Sequence, residues 1–215
     1  MKSKLRVPIL EINNNTWITQ EYFPYNKDPK AIIFLDRDDT LIKDFGDKTH
    51  KKIPKFNLNV VVCLKVISQE LNHAVILVIV TNQSRISSHK TSIVALKFFH
   101  LALIIYGRLL GIRINRIVTC PHSPSSGCKC RKPSPVTILN TVKDFNCNAI
   151  PKFMIGNSLS DIQAGLSAEC FTIGVGRKKY KPTLKKHKKL FLGHFTLKQS
   201  FVPIVLNILR TKPYK

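Results

Sequence analysis

The sequence predicts an α/β fold: a Rossmann-like three-layer αβα sandwich built on a central parallel sheet. Three observations carry that expectation. Short unbroken apolar runs, at residues 31–35 and 74–80, stop abruptly at polar residues, as strands buried on both faces do. Segments with helical apolar spacing separate such runs, which is the alternation of a parallel sheet covered by helices. The polar clusters follow strand ends or the loops after them, where open parallel sheets bind ligands.

Taken in order, residues 1–30 read as an irregular N-terminal extension, since Asn13, Asn14, Asn15 and Pro24 interrupt any regular pattern. No apolar run there is long enough for a signal peptide. Residues 31–215 read as one domain, a length that supports a single sizeable core. Its first strand, 31–35, stops at Asp36. A helical period follows over 60–71, then a second strand, 74–80, that ends at Thr81, Asn82, Gln83 and Ser84. Helix signals cover 89–110, a third strand 114–119, and a helix 134–145. A strand over 152–155 ends at Gly156 and Asn157, before a short helix at 161–168 and a strand at 171–175. A last helix is expected after Leu197 despite Pro203. The apolar tract 93–112 has about the length of a membrane span, but Lys97, His100 and Arg108 interrupt it, so it reads as a buried helix. No repeat and no inserted second domain interrupts this order.

Lysine and arginine number 35 against 12 acidic residues, a formal charge of +23. Such an excess suits a polyanion. Yet the dense run at 177–189 interleaves only Tyr180, with no aromatic pattern for stacking bases. Elsewhere the charge is spread along a chain also rich in isoleucine and asparagine, as an AT-rich coding bias leaves it. The surplus is read as a solvated surface that supports an anionic substrate, with neither nucleic acid nor a membrane as partner, and the chain as a monomer. Three of the six cysteines sit in one cluster and Cys63, Cys147 and Cys170 in apolar or mixed surroundings, which is not a disulfide framework. A reducing compartment, the cytoplasm, is the expected location.

That cluster is the densest chemical signal. Cys120, His122, Cys128 and Cys130 fall within eleven residues, in a loop at 120–130 that runs into Arg131 and Lys132. Thiolate and imidazole are the ligands of closed tetrahedral zinc sites, so a structural Zn²⁺ is expected. At the first strand end, Asp36 and Asp38 are spaced to hold Mg²⁺ together with substrate phosphate oxygens. A carboxylate there can attack phosphorus while its neighbour moves protons. Thr81 offers a hydroxyl and an N–H to a phosphoryl oxygen, Lys132 a point charge, and Arg131 a planar fork for a second anion.

With those residues in view, the stretch 31–175 resembles the haloacid dehalogenase-like phosphatases. Asp36-Arg-Asp-Asp-Thr40 is similar to the nucleophile motif, which implies Asp36 as nucleophile and Asp38 as general acid/base. Val80-Thr-Asn-Gln-Ser84 is similar to the second motif, with Thr81 on the phosphoryl group, Lys132 matches the third and Gly156-Asn-Ser-Leu-Ser-Asp161 the fourth. The resemblance implies a cap-less domain, catalytic Mg²⁺ on Asp36, Asp38 and Asn157, and an aspartyl-phosphate intermediate. Cys-x-His followed by Cys-x-Cys-Arg-Lys-Pro is similar to the branch that acts on D-glycero-D-manno-heptose 1,7-bisphosphate or on histidinol phosphate, a small phosphorylated sugar or amino alcohol. The phrases Arg131-Lys-Pro-Ser-Pro135 and Asp161-Ile-Gln-Ala-Gly165 lean to the heptose substrate and to carbohydrate metabolism. Asp44, Asn82, Gln83, Ser84, Arg131 and Ser158 are then the expected substrate contacts, Arg131 at the phosphate that is not cleaved.

Four departures from the family pattern stand out. Asp39 replaces a glycine. Arg85 replaces another and is expected to strain the backbone. Asn157 replaces an acidic Mg²⁺ ligand, which removes a negative charge, and Ser158 replaces a frequent lysine. They keep open a weakened or inactive relative, and the basic charge keeps open a polynucleotide 3′-phosphatase, although that group is not known to carry these zinc ligands.

Overall fold

The computed structural model describes residues 11–12, 17–44, 46, 53–176 and 188–211. Most of the basic run at 177–189 lies outside the described residues; Lys188 and Lys189 are exposed. The strands are β1 (Glu11–Ile12), β2 (Ile18–Glu21), β3 (Ala31–Leu35), β4 (Val75–Asn82), β5 (Arg116–Cys120), β6 (Lys152–Gly156), β7 (Phe171–Val175) and β8 (Phe191–Phe195). They form one sheet in the order β1-β2-β5-β4-β3-β6-β7-β8. Every pair from β5 to β8 is parallel, whereas β1 with β2 and β2 with β5 are antiparallel. The expected central parallel sheet is present, with two antiparallel strands added at one side.

Five helices cover the sheet: α1 (Leu58–Glu70), α2 (Ile93–Leu109), α3 (Val136–Asp144), α4 (Leu159–Ser167) and α5 (Val202–Thr211). The strand period of two sorts side chains between the layers. Ile33 and Leu35 pack with Leu64 and Ile67 of α1, Phe99 and Leu103 of α2 and Val205 of α5. Ile32 and Phe34 pack with Ile138 and Val142 of α3 and Ala164 of α4. These two cores are the three layers that the alternation of elements predicts.

The irregular lead-in is corrected. Residues 18–21 make a regular strand between β1 and β5, and Ile18, Gln20 and Tyr22 are buried. The segment Ile-Thr-Gln-Glu has no apolar run; its order comes from pairing with β5, which no local pattern encodes. β8 was missed for a like reason, since Gly193 and His194 break its period and its ladder shifts register beside β7. The helix expected from residue 89 starts at Ile93, where Ser92 caps it by accepting from Ala95 N at 3.0 Å. Pro203 is tolerated because it stands in the first turn of α5, where its missing N–H is not needed.

After β1 and β2, the parallel part of the sheet begins at the central β3, moves out to β4 and β5, then returns to β6 and β7 on the other side of β3. That reversal opens a crevice beyond the carboxyl ends of β3, β4 and β6. Gly165 keeps the adjoining helix close: a Cβ there would lie 2.6 Å from Met154 Cβ and 2.6 Å from Thr172 Oγ1. Gly165→Ala is expected to lower stability by about 1–3 kcal/mol despite the better helix propensity of alanine. Urea unfolding reads this, and an unchanged midpoint would contradict so close a helix–sheet approach.

Candidate active site

The crevice is a cleft of about 460 Å³, lined by Asp36, Asp38, Asp39, Asp44, Thr81, Asn82, Gln83, Ser84, Arg85, Lys132, Asn157, Ser158 and Asp161, among others. A second cavity, about 300 Å³, lies beside the start of β4 at the opposite edge of the sheet and brings none of these groups together.

At the floor of the cleft the buried Lys132 ammonium meets three oxygens: Asp36 Oδ1 at 2.6 Å, Val80 O at 2.6 Å and Asp161 Oδ1 at 2.7 Å. The first two are hydrogen bonds and the third is an ion pair, for Asp161 Oδ1 has no hydrogen-bond partner. Burial pulls the Lys132 amine down, and the charges of Asp161 and Asp36 more than offset that, so it stays protonated. Asp36 is pushed up to about 7, first by burial and then by Asp161, against the pull of Lys132. Two carboxylates around one ammonium leave the cluster one negative charge in excess. Asp161 is fixed by a capping box: its Oδ2 accepts from Ser158 N at 2.9 Å and Ser158 Oγ at 2.6 Å. Ser158 lines the cleft, but its hydroxyl serves this cap.

Asp38 is held from behind. Arg37, fully buried, donates from Nε to Oδ1 at 3.0 Å and from the second guanidinium nitrogen to Oδ2 at 2.9 Å. Gln83 Nε2 adds a bond to Oδ2 at 2.7 Å and another to Thr81 Oγ1 at 2.8 Å. Burial pushes the Asp38 carboxyl up, but Arg37 and Gln83 together hold it below the usual carboxylate range. The remaining Arg37 nitrogen lies 3.0 Å from His100 Nε2, and His100 Nδ1 lies 2.6 Å from Gln20 Oε1. Arginine cannot accept, so His100 Nε2 accepts and Nδ1 carries the proton given to Gln20.

Asn82 faces the loop that carries Lys132. Its amide donates to Lys132 O and accepts from Lys132 N, both at 3.1 Å. Arg131 is not brought to the cleft lining; its guanidinium donates to His122 O at 3.1 Å. Farther along that loop, Cys120 Sγ lies 3.7 Å from His122 Nδ1 and 3.7 Å from Cys128 Sγ. Cys130 Sγ lies 3.3 Å from His122 Nδ1 and 3.5 Å from Cys128 Sγ. All four ligand atoms fall within 4.8 Å of one another. A tetrahedron with Zn–S bonds near 2.3 Å has S–S edges of roughly 3.8 Å, so this donor set fits zinc in size and in chemistry. The bond with Cys130 and burial push the Cys120 thiol above its usual value.

A family model described as HAD-hydrolase-like matches residues 129–197. The D-glycero-beta-D-manno-heptose-1,7-bisphosphate 7-phosphatase of Helicobacter pylori is 34% identical over 140 residues, 64% of this chain and 78% of that protein. The protein of the same name from Pasteurella multocida is 32% identical over 148 residues, 65% of this chain and 78% of that one. The chain belongs to the haloacid dehalogenase-like phosphatases. The D,D-heptose 1,7-bisphosphate phosphatase from B. bronchiseptica, solved with magnesium and phosphate, shares the fold at a TM-score of 0.65 and 21% identity, covering 85% of this chain and 99% of that one. The corresponding structure from Burkholderia thailandensis aligns at 0.51 and 22%, covering 85% and 100%.

Within this phosphatase family the departures now have locations. Asp39 sits at φ +54°, in the left-handed region, where glycine is at ease and aspartate is among the better substitutes. Its carboxylate accepts from Asp44 N at 3.0 Å. Arg85 has no positive φ, so the expected backbone strain is absent. Residues 84–92 form turns, and Arg85 pairs with Asp44 at 3.4 Å across the rim. Asn157 lines the cleft at the end of β6, where it presents an amide in place of a charge. The groups sequence reasoning missed are Arg37, whose burial is a tertiary fact, and Asp161 as a partner of Lys132. The second had a signal: Ser158 to Asp161 is a capping-box spacing that fixes where the acid points.

The excess charge gives a pH signature. Asp36 has its folded pKa raised, so the folded state binds the proton more tightly than the unfolded one, and its contribution is lost as pH rises from about 4 through about 7. In magnesium-free buffer, Asp36→Asn is expected to raise Tm more at pH 8 than at pH 5. An equal shift at both would show that Asp36 is not destabilised as the geometry requires.

Proposed function

We propose that this chain is a phosphomonoester hydrolase that forms an aspartyl-phosphate on Asp36 and acts on D-glycero-D-manno-heptose 1,7-bisphosphate. The observation that carries the reading is the single cleft at the switch point, where Asp36, Asp38, Thr81, Lys132 and Asn157 line one space large enough for a sugar bisphosphate. The heptose substrate is supported by the names of the curated relatives.

Asp36 attacks phosphorus through a carboxylate oxygen, and the bond from phosphorus to the sugar oxygen breaks. That oxygen takes its proton from Asp38, which enters the cycle in the protonated form that Arg37 and Gln83 disfavour. Asp38 then takes one from the water that cleaves the aspartyl-phosphate, releasing phosphate and freeing Asp36. Arg37 and Gln83 set Asp38 for the second half by favouring its ionised form. Thr81 Oγ1 already accepts from Gln83, which leaves its own proton for a phosphoryl oxygen. Lys132, at the floor of the cleft, holds Asp36 in place. Arg85 at the rim, with Lys90 beside it, suits the phosphate that stays on the sugar, the role expected of Arg131.

The buried negative charge in excess and the oxygen donors of Asp36, Asp38 and Asn157 fit a hard divalent cation, for which Mg²⁺ is the reading. When bound it would neutralise charge on the phosphoryl oxygens. Zn²⁺ on Cys120, His122, Cys128 and Cys130 would be structural, since four protein ligands close the shell.

Purified protein at high Mg²⁺ is expected to release phosphate from the heptose bisphosphate faster than from histidinol phosphate or a 3′-phosphorylated oligonucleotide. Failure on all three favours a relative that has lost activity, the reading that Asn157 supports. Asn157→Asp restores a charged ligand and is expected to lower the Mg²⁺ concentration for half-maximal rate by about tenfold, as loss of about 1.4 kcal/mol implies. An unchanged value would sink the claim that the missing charge matters. Metal analysis is expected to find close to one zinc per chain, and Cys128→Ser to lower both zinc content and Tm. A zinc-free yet equally stable protein would refute the structural site.

A further inference from the structure

The tract at 93–112 was read as a buried helix, and half of it is. On α2, Leu96, Phe99, His100, Leu103, Ile104 and Gly107 face inward and are buried. The outward face is not polar in compensation. Val94, Phe98, Ile105, Tyr106 and Leu109 are 59%, 68%, 49%, 40% and 77% exposed. At about 100° per residue, Val94, Phe98, Ile105 and Leu109 fall on one strip along the whole helix, and Lys97 and Arg108 fall together along one edge of it. An unpartnered face this apolar marks a contact surface rather than ordinary scatter. Among the described residues, no helix is long and apolar enough to cross a membrane.

We propose that the outer face of α2 docks this protein on an anionic membrane surface. The strip enters the boundary between headgroups and acyl chains, while Lys97 and Arg108 use their aliphatic stems to reach lipid phosphates. Charge chooses this occupant over a second copy of the chain. A formal charge of +23 makes two copies repel, and the same charge is attracted to an anionic leaflet. The absence of a long uncharged run excludes a span and says nothing against a helix lying on the surface. α2 begins directly after the turns that carry Ser88 and Lys90 on the cleft rim, so docking places the cleft entrance near the lipid surface.

The test is co-sedimentation of the full chain with vesicles of phosphatidylglycerol and phosphatidylcholine in equal parts, against phosphatidylcholine alone. It is run at salt near 0.1 M and near 0.4 M, the second chosen because the Debye length then falls to roughly 5 Å. The wild type is expected to pellet only with the anionic vesicles and to remain bound at the higher salt. The Phe98→Ser/Leu109→Ser double variant keeps every charge and removes exposed side chains alone. With unchanged circular dichroism and Tm, it is expected to lose binding at least about tenfold at the higher salt. Binding of the double variant equal to wild type would reduce the effect to adsorption by charge. Equal binding to phosphatidylcholine, no vesicle binding, or a dimer in solution that the double variant dissolves and vesicles do not compete away would each overturn the proposal.

Discussion

One ammonium ion ties the crevice together. Lys132 is reached from four separate parts of the chain: the carboxylate after β3, the main-chain carbonyl near the end of β4, the acid in the first turn of α4, and its own loop after β5. Apart from its own loop, none of these is local. Each depends on the strand order that sets the carboxyl ends of β3, β4 and β6 side by side. A buried ion pair is poor evidence of net stability, because desolvation offsets much of the attraction. What this cluster supplies is position and an unequal charge count. Two carboxylates share one cation, Asp36 is pushed up to about 7, and the cleft is left short of positive charge where a phosphoryl group and its metal would sit.

The zinc-type loop and the Asn82 clasp serve that ammonium. Cys120 ends β5 and Cys130 stands two residues before Lys132, so closing the four ligands fixes the loop at both ends. The paired bonds between Asn82 and the Lys132 peptide lock the same loop to the end of β4. Behind the cleft, Arg37 does for Asp38 what Lys132 does for Asp36: a buried cation holds an acid in one orientation. Its own hold on His100 and Gln20 runs out to β2, which makes that strand part of the support of the site rather than a lead-in to the domain.

Much of this was legible in the residues, and the limits have physical causes. Strands buried on both faces announce themselves as unbroken apolar runs, so β3, β4 and β6 and the polar residues that follow them were visible. Strands held by pairing, such as β2 and β8, carry no such run and were not. The metal cluster was legible because its spacing is local, whereas the direction of Arg131 was not, because it depends on the carbonyl of His122. Gln83 and Asn82 were read as substrate contacts for their position in a motif. The fold turns one toward Asp38 and Thr81 and the other toward the Lys132 peptide. The outer face of α2 was misjudged because hydrophobic content alone does not tell which sides of a helix are covered.

The central claim is that Asp36 is the nucleophile that carries the phosphoryl group and that the surrounding charges hold it. The most direct test is to quench the enzyme in acid during turnover of the heptose bisphosphate at saturating Mg²⁺ and to map phosphoryl groups by peptide mass spectrometry. The predicted result is one phosphoryl group on the peptide that carries Asp36, absent in Asp36→Asn. Steady release of phosphate without that adduct, or by the Asp36→Asn variant, would contradict it.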